Sequence, residues 1–141
     1  MEQTSVNKAM ELRSKGCNCA QSVACAFADE AGMSEQTLFS LMEGFGGGMG
    51  AHQATCGAVS GAVAIVSILT SKGNVQGGTK SLTYARTAAI VSEFFQKNGS
   101  LVCKEILGDE TGVVLRSCEG CIEDSVRMVH KLLQNMKEES K

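Results

Sequence analysis

The chain has 141 residues, a formal net charge of −2 and a hydrophobic fraction of 43%, which suits one domain around one core. Its 13 basic and 15 acidic residues are interspersed, which excludes nucleic acid and anionic membrane surfaces as electrostatic partners. The polar start at Met1–Ser5 lacks the apolar stretch of a signal peptide, and the most apolar run, residues 56–70, falls short of the roughly 20 residues that cross a bilayer, so the expected location is cytoplasmic and not membrane-embedded.

No Pro interrupts the chain, so Gly, Asn and Ser carry the punctuation. The 3.6-residue apolar rhythm predicts a first helix over 5–14, with Val6, Met10 and Leu12 facing inward and a stop near Gly16. Asn18 reads as the N-cap of a second helix over 19–31, ended by Gly32. Ser34 caps a third over 35–45, with Leu38, Leu41 and Met42 on one side. The run Gly46-Gly47-Gly48-Met49-Gly50 cannot be helical at reasonable cost. Thr55 reads as the cap of a fourth helix over 56–71, apolar nearly all round and therefore expected at the buried centre. Lys72-Gly73-Asn74 ends it, and residues 75–78 form a short loop. A long fifth helix runs over 79–97 and stops at Asn98-Gly99. Ser100 caps a sixth over 101–107, and residues 108–117 form a loop carrying Val113-Val114-Leu115. A last helix over 119–137 places Ile122, Val126, Val129, Leu132, Leu133 and Met136 on its core face, and residues 137–141 are expected to fray. With 4% aromatics, no Trp and 16 Gly, small aliphatic side chains must fill the interior of closely packed helices. No strand alternation, repeat or linker is visible. The prediction is an all-α single domain, a bundle of about six or seven helices around the Gly/Ala-rich fourth helix.

Seven Cys is a high count, and an odd one, so disulfides alone cannot pair them all. In a reducing cytosol they read as metal ligands or redox-active thiols. Cys19, Cys56 and Cys103 fall at or near predicted helix starts, and Cys118 and Cys121 straddle the start of the last helix. Free N–H groups and the positive dipole end stabilise a thiolate there, lowering a pKa of about 8.5. Several such residues make either a low-pKa redox centre or a thiolate-ligated metal site. Cys118-Glu119-Gly120-Cys121 is a CxxC, which serves redox and zinc sites alike, and Cys17-Asn18-Cys19 is a less diagnostic CxC. The candidates span about a hundred residues, so any shared site must be assembled by the tertiary fold. Cys25, between Ala24 and Ala26, reads as a packed core residue, whereas Cys17 and Cys118 read equally as resolving or spare thiols.

Three segments carry a resemblance: Asn18-Cys19-Ala20-Gln21-Ser22-Val23, Gly44-Phe45-Gly46-Gly47-Gly48-Met49-Gly50, and Thr55-Cys56-Gly57-Ala58-Val59-Ser60-Gly61-Ala62. Together they resemble the C_GCAxxG_C_C family of redox-active proteins, built around four cysteines and a CGAxxG motif. The motif reads Cys56-Gly57-Ala58-Val59-Ser60-Gly61 here. The resemblance covers about residues 5–133 and implies Cys19, Cys103 and Cys121 as the first, third and fourth cysteines of the pattern, with Cys118 the competing fourth. It extends to the non-haem part of split-Soret cytochromes, in which an iron centre accompanies the haems. This chain has no CxxCH, so no haem is expected.

Three functions follow as expectations. The first is a redox or electron-transfer protein in which Cys19, Cys56, Cys103 and Cys121 hold an iron–sulfur cluster or another thiophilic metal, iron or zinc. The second is a thiol–disulfide oxidoreductase with Cys56 or the Cys118/Cys121 pair as nucleophile, which makes Cys56 and Cys121 the catalytic candidates. The third is a non-catalytic helical module with a structural zinc. His52 reads as a nitrogen ligand, a proton carrier or a solvated loop residue, Met49 as packed, and His130 as surface or interface. The loop over 46–50 lacks the ending of a phosphate-binding loop. It is expected to bring backbone close to the cysteines and leave N–H groups for sulfur. Gly57 and Gly61, with Ala58 and Ala62, are expected to permit close helix contact. A redox partner of unstated identity is implied, and the small-residue helices are compatible with a homodimer. No Ser/His/Asp arrangement, paired carboxylates or nucleotide fingerprint names a substrate.

Overall fold

A computed structural model describes residues 2–140. Its helices are α1 (Glu2–Ser14), α2 (Cys19–Ala26), α3 (Ala28–Ala31), α4 (Glu35–Met42), α5 (Gly57–Thr70), α6 (Lys80–Asn98), α7 (Cys103–Leu107) and α8 (Cys118–Glu139). Among the described residues there is no β-strand, only an isolated antiparallel bridge between Thr55 and Val102. The fold is the expected all-α single domain, with no helix long and apolar enough to cross a membrane among the described residues.

Local chemistry sets the helix ends. Asn18 caps α2 with a full capping box: its side chain accepts the Gln21 N–H at 2.9 Å, and the Gln21 side chain accepts the Asn18 N–H at 2.9 Å. The second predicted helix is interrupted at Phe27 (φ −110°, ψ 21°), whose ring is fully buried, and only α3 continues to Gly32. Ser34 caps α4 by accepting the Thr37 N–H at 3.1 Å, but α-geometry stops at Met42 and residues 43–45 tighten into a 3₁₀ turn. Thr55 does not cap α5. It lies in the bridge, and Cys56 takes the cap position without a capping side-chain bond. Ser100 stands three residues before α7, where its hydroxyl accepts the Val102 N–H at 3.0 Å and donates to Glu105 at 2.9 Å. Ser117 caps α8 through the Gly120 N–H at 3.0 Å, and the helix runs to Glu139 through most of the stretch expected to fray. Met1 and Lys141 lie outside the described residues.

The core lies between α2, α5 and α8, with α1 on α8 and α6 on α5. Its largest fully buried side chains include Phe27, Leu38, Ile65, Phe94, Ile122 and Val129. Each contributes about 1.5–3 kcal/mol through burial. Gly61 sets the α2–α5 approach: a Cβ there would lie 2.7 Å from the Ala20 carbonyl and 3.2 Å from Val23 Cβ. α5 is the central helix, as expected, packed against α2, α6 and α8. Val63, Ala64, Ser67, Ile68 and Leu69 stay half-buried, and Val63 and Ala64 line an apolar groove. Asp124 of α8 is buried and accepts hydrogen bonds from Arg116 at 3.0 and 3.1 Å, Lys97 at 2.6 Å and Asn98 at 3.3 Å. That carboxylate ties the end of α6 and the loop before α8 to the first turns of α8 itself.

Candidate cysteine site

Five cysteines line one cavity of about 300 Å³: Cys19, Cys56, Cys103, Cys118 and Cys121. The four expected cysteines are thus brought together, and Cys118 joins them. Cys17 and Cys25 do not line the cavity. Cys25 is fully buried and its thiol donates to the Glu35 carbonyl at 3.6 Å, in keeping with a packed role.

Each sulfur is delivered by a helix start. Cys19 is the first residue of α2, Cys56 the N-cap of α5 and Cys103 the first residue of α7, while Cys118 and Cys121 occupy the first turn of α8. The isolated bridge fixes two of them relative to each other. The Cys56 N–H donates to the Leu101 carbonyl at 2.7 Å and the Cys103 N–H to the Ala54 carbonyl at 2.9 Å, so the starts of α5 and α7 are held side by side.

The Gly-rich loop wraps this site in an unusual conformation. Gly47, Gly48 and Met49 have φ of 61°, 60° and 62°, a left-handed turn that non-Gly residues adopt at a cost of about 1–2 kcal/mol each. A Cβ on Gly48 would meet the Cys103 Cβ at 2.5 Å. A Cβ on Gly57 would collide with the Cys19 sulfur and lie 2.9 Å from the Phe45 carbonyl. Backbone therefore runs against sulfur on two sides, as the sequence led one to expect. Met49 departs from expectation, being 55% exposed rather than packed, because the left-handed turn projects it outward.

The five thiols are electrostatically unequal. The Cys118 thiol donates to the Cys19 sulfur, and this is the main reason the Cys19 pKa falls to about 6. Burial opposes the shift, while N–H groups of Gly47 and Ala20 and the charge of Arg13 assist it. In the second pair, the Cys121 thiol donates to Cys56, which is lowered as well, with further support from the N–H groups of Ala58 and Val59. Cys118 and Cys121 are raised in consequence, each held protonated by the hydrogen bond it gives and then by burial. Cys103 has no thiol partner. Burial, then the charges of Cys56, Cys19 and Asp109, push it up to about 11. The site therefore holds two pairs, Cys19/Cys118 and Cys56/Cys121, in each of which the first sulfur is favoured as the anion and the second keeps its proton more tightly, and one isolated thiol with a raised pKa.

Sequence reasoning missed several neighbours. Arg13, in the last turn of α1, lines the cavity although nothing in its local sequence sets it apart. His52, which the sequence offered as a ligand, proton carrier or solvated loop residue, also lines it, and its Nδ1 lies 2.8 Å from the Asp109 carboxylate. Asp109 follows the left-handed Gly108 that ends α7 and carried no signal of its own. His130 sits half-buried on α8, away from the cavity, with its Nε2 buried and unpartnered.

Thiols with one imidazole are a donor set suited to thiophilic metals. Among the described residues, however, no three His, Cys, Asp or Glu side chains converge closely enough to hold a single ion. The sulfurs instead form pairs and a wall around shared space.

A family profile with the description "Putative redox-active protein (C_GCAxxG_C_C)" matches residues 17–132. An uncharacterized protein of Archaeoglobus fulgidus (strain ATCC 49558 / DSM 4304 / JCM 9628 / NBRC 100126 / VC-16) is 27% identical over 142 residues, covering 94% of this chain and 93% of the relative. No solved structure matches the chain.

Proposed function

Because this chain belongs to the C_GCAxxG_C_C family, we propose that it is a redox protein whose cysteine cavity works by thiol–disulfide exchange. The observation that carries this reading is the pairing of a stabilised thiolate with a protonated thiol, Cys19 with Cys118 and Cys56 with Cys121. A thiolate is the attacking form, and a second thiol in contact is the resolving group. Cys19 attacks one sulfur of a substrate disulfide and expels the other as a thiolate. Cys118 then attacks the Cys19 sulfur and expels the bound half. The substrate gains two electrons and leaves as one thiol and one thiolate, while the cysteine pair loses two electrons and the single proton of Cys118. Cys56 and Cys121 would run the same cycle. The CxxC thus contributes its two thiols to different partners rather than to each other.

A second reading is supported by the cavity itself. Cys19, Cys56, Cys103 and Cys121 line one space without three of them converging on a single ion, so these four would hold an iron–sulfur cluster or another thiophilic metal only by drawing closer together, and the group would then supply one-electron transfer. Two variants separate the readings. Cys103→Ser leaves both thiol pairs intact, so exchange with a small disulfide continues. Cys118→Ser breaks one pair and slows exchange, but spares the four metal candidates. Metal or visible colour lost in Cys103→Ser and kept in Cys118→Ser, with no disulfide cycle in either, selects the metal reading. Stoichiometric colourless zinc without redox activity selects a structural zinc site.

A further inference from the structure

Thiol exchange moves protons as well as sulfur, and the cavity contains a group fitted to that task. In the exchange cycle the resolving thiol must give up its proton as its sulfur attacks. Besides the cysteines, the ionisable side chains lining the cavity are Arg13 and His52, and Arg13 cannot act as a base.

His52 is held in a defined way. Its Nδ1 lies 2.8 Å from Oδ2 of Asp109. A carboxylate can only accept, so the ring proton belongs on Nδ1, and Nε2 keeps the lone pair. The ring lies beside Gly47, where a Cβ would meet its Cδ2 at 3.8 Å, and the Gly47 N–H is itself a donor to the Cys19 sulfur. Both side chains of the dyad are 41% exposed, so the ring stands between the cavity and bulk water. His52 also has φ 63°, a left-handed backbone rarely adopted outside glycine, and such outliers concentrate at working sites. The dyad joins the loop before Cys56 to the turn after the helix that Cys103 opens.

We propose that His52 and Asp109 form a proton relay for the cysteine cavity, in which His52 Nε2 exchanges protons with the resolving thiols and Asp109 is a positioning residue that fixes the tautomer. The proposal rests on the thiol-exchange reading. In the resolving step, the Cys118 S–H gives its proton to Nε2, directly or through one water, and its electron pair forms the bond to Cys19. The bond from Cys19 to the substrate half breaks, that half leaves as a thiolate, and the imidazolium returns the proton to it. The charges around His52 are Asp109 from the turn after α7, Arg13 from α1, the thiols of α2, α5, α7 and α8, and Lys104 of α7, which pairs with Glu110 at 3.3 Å and reaches Gln53 at 3.4 Å.

The test is stopped-flow reaction of fully reduced protein with 4,4′-dithiodipyridine between about pH 5.5 and 9.5, where each cysteine pair releases thione once on attack and again on resolution. His52→Ala and Asp109→Asn are expected to leave the first release within about twofold and to slow the second by about 10- to 100-fold near neutrality. Added imidazole restores the second release in His52→Ala, and Asp109→Glu recovers much of the rate lost in Asp109→Asn. Nitrogen-15 spectra are expected to show the Nδ1–H tautomer in the wild-type protein. A second release unchanged in both variants, a loss that imidazole does not restore, or an Nε2–H tautomer in the wild type overturns the relay. If the wild type releases no second thione, the exchange reading falls and takes the relay with it. If it does and the variants match it, the relay alone falls.

Discussion

The thiol of Cys118 donates to the sulfur of Cys19, joining the start of α8 to the start of α2. Removing the donor removes the main cause of the low Cys19 pKa. Cys118→Ala is therefore expected to move the Cys19 midpoint from about 6 back toward the ordinary thiol value, and to slow its alkylation by iodoacetamide near neutrality by about tenfold. Peptide-resolved alkylation rates against pH read this directly. A midpoint that stays near 6 in the variant means that the backbone donors and Arg13 suffice without Cys118. The sign for stability follows from the same depression. The stability that the Cys19 thiolate contributes is complete above the unfolded thiol value of 9.0 and is lost as pH falls toward 6, so the gap between wild type and Cys19→Ser closes over that window.

Limited oxidation maps the pairing. Diamide treatment followed by non-reducing peptide mass spectrometry is expected to yield Cys19–Cys118 and Cys56–Cys121. A dominant Cys118–Cys121 bridge, the pairing a CxxC invites, contradicts the crosswise arrangement.

Much of this architecture was legible in the residues. The capping signals of Asn18, Ser34 and the Gly stops at Gly32 and Gly99 define helix ends because those groups satisfy orphan backbone atoms locally. The helix-start placement of Cys19, Cys56 and Cys103 was readable for the same reason. What could not be read was whatever depends on contacts distant in sequence. Thr55 has the right chemistry for a cap, but the bridge to Val102 claims it. Phe27 interrupts a helix that local propensity would continue, and its ring is fully buried. Arg13, Asp109 and the choice of Cys118 as partner to Cys19 arise from packing between helices, which no periodicity encodes.

Asp124 gives a stability prediction. Burial pushes its carboxyl up, but hydrogen bonds from Arg116, Lys97 and Asn98 together outweigh that and hold it below the usual carboxylate value. Replacing it by Asn leaves Arg116 without its bidentate partner and is expected to cost about 3 kcal/mol in urea unfolding. Because the folded value is depressed, this contribution is complete above the ordinary value near 3.8 and fades below it. The difference between wild type and Asp124→Asn should shrink on acidification through that range. A difference constant with pH means that the carboxylate charge is not what stabilises.

Gly57→Ala tests the close approach of α5 to Cys19. The added methyl collides with the Cys19 sulfur and the Phe45 carbonyl, so a loss of about 1–3 kcal/mol is expected, with a rise in the Cys19 pKa as its sulfur shifts. Gly44→Ala is the control, since nothing lies within 4 Å of a Cβ there. Equal behaviour of the two variants in urea melts and alkylation profiles contradicts the packing described.

The wall of the cavity draws on α1, α2, α5, α7 and α8, from Arg13 to Cys121. During synthesis, Cys19 leaves the ribosome long before its hydrogen-bond donor at Cys118 has been made, so its sulfur begins as an ordinary, sluggish thiol. The largest contribution to its lowered pKa arrives only when the last helix docks. The reaction rate of a single sulfur near the N-terminus thereby becomes a gauge of whether α2 and α8 have come together.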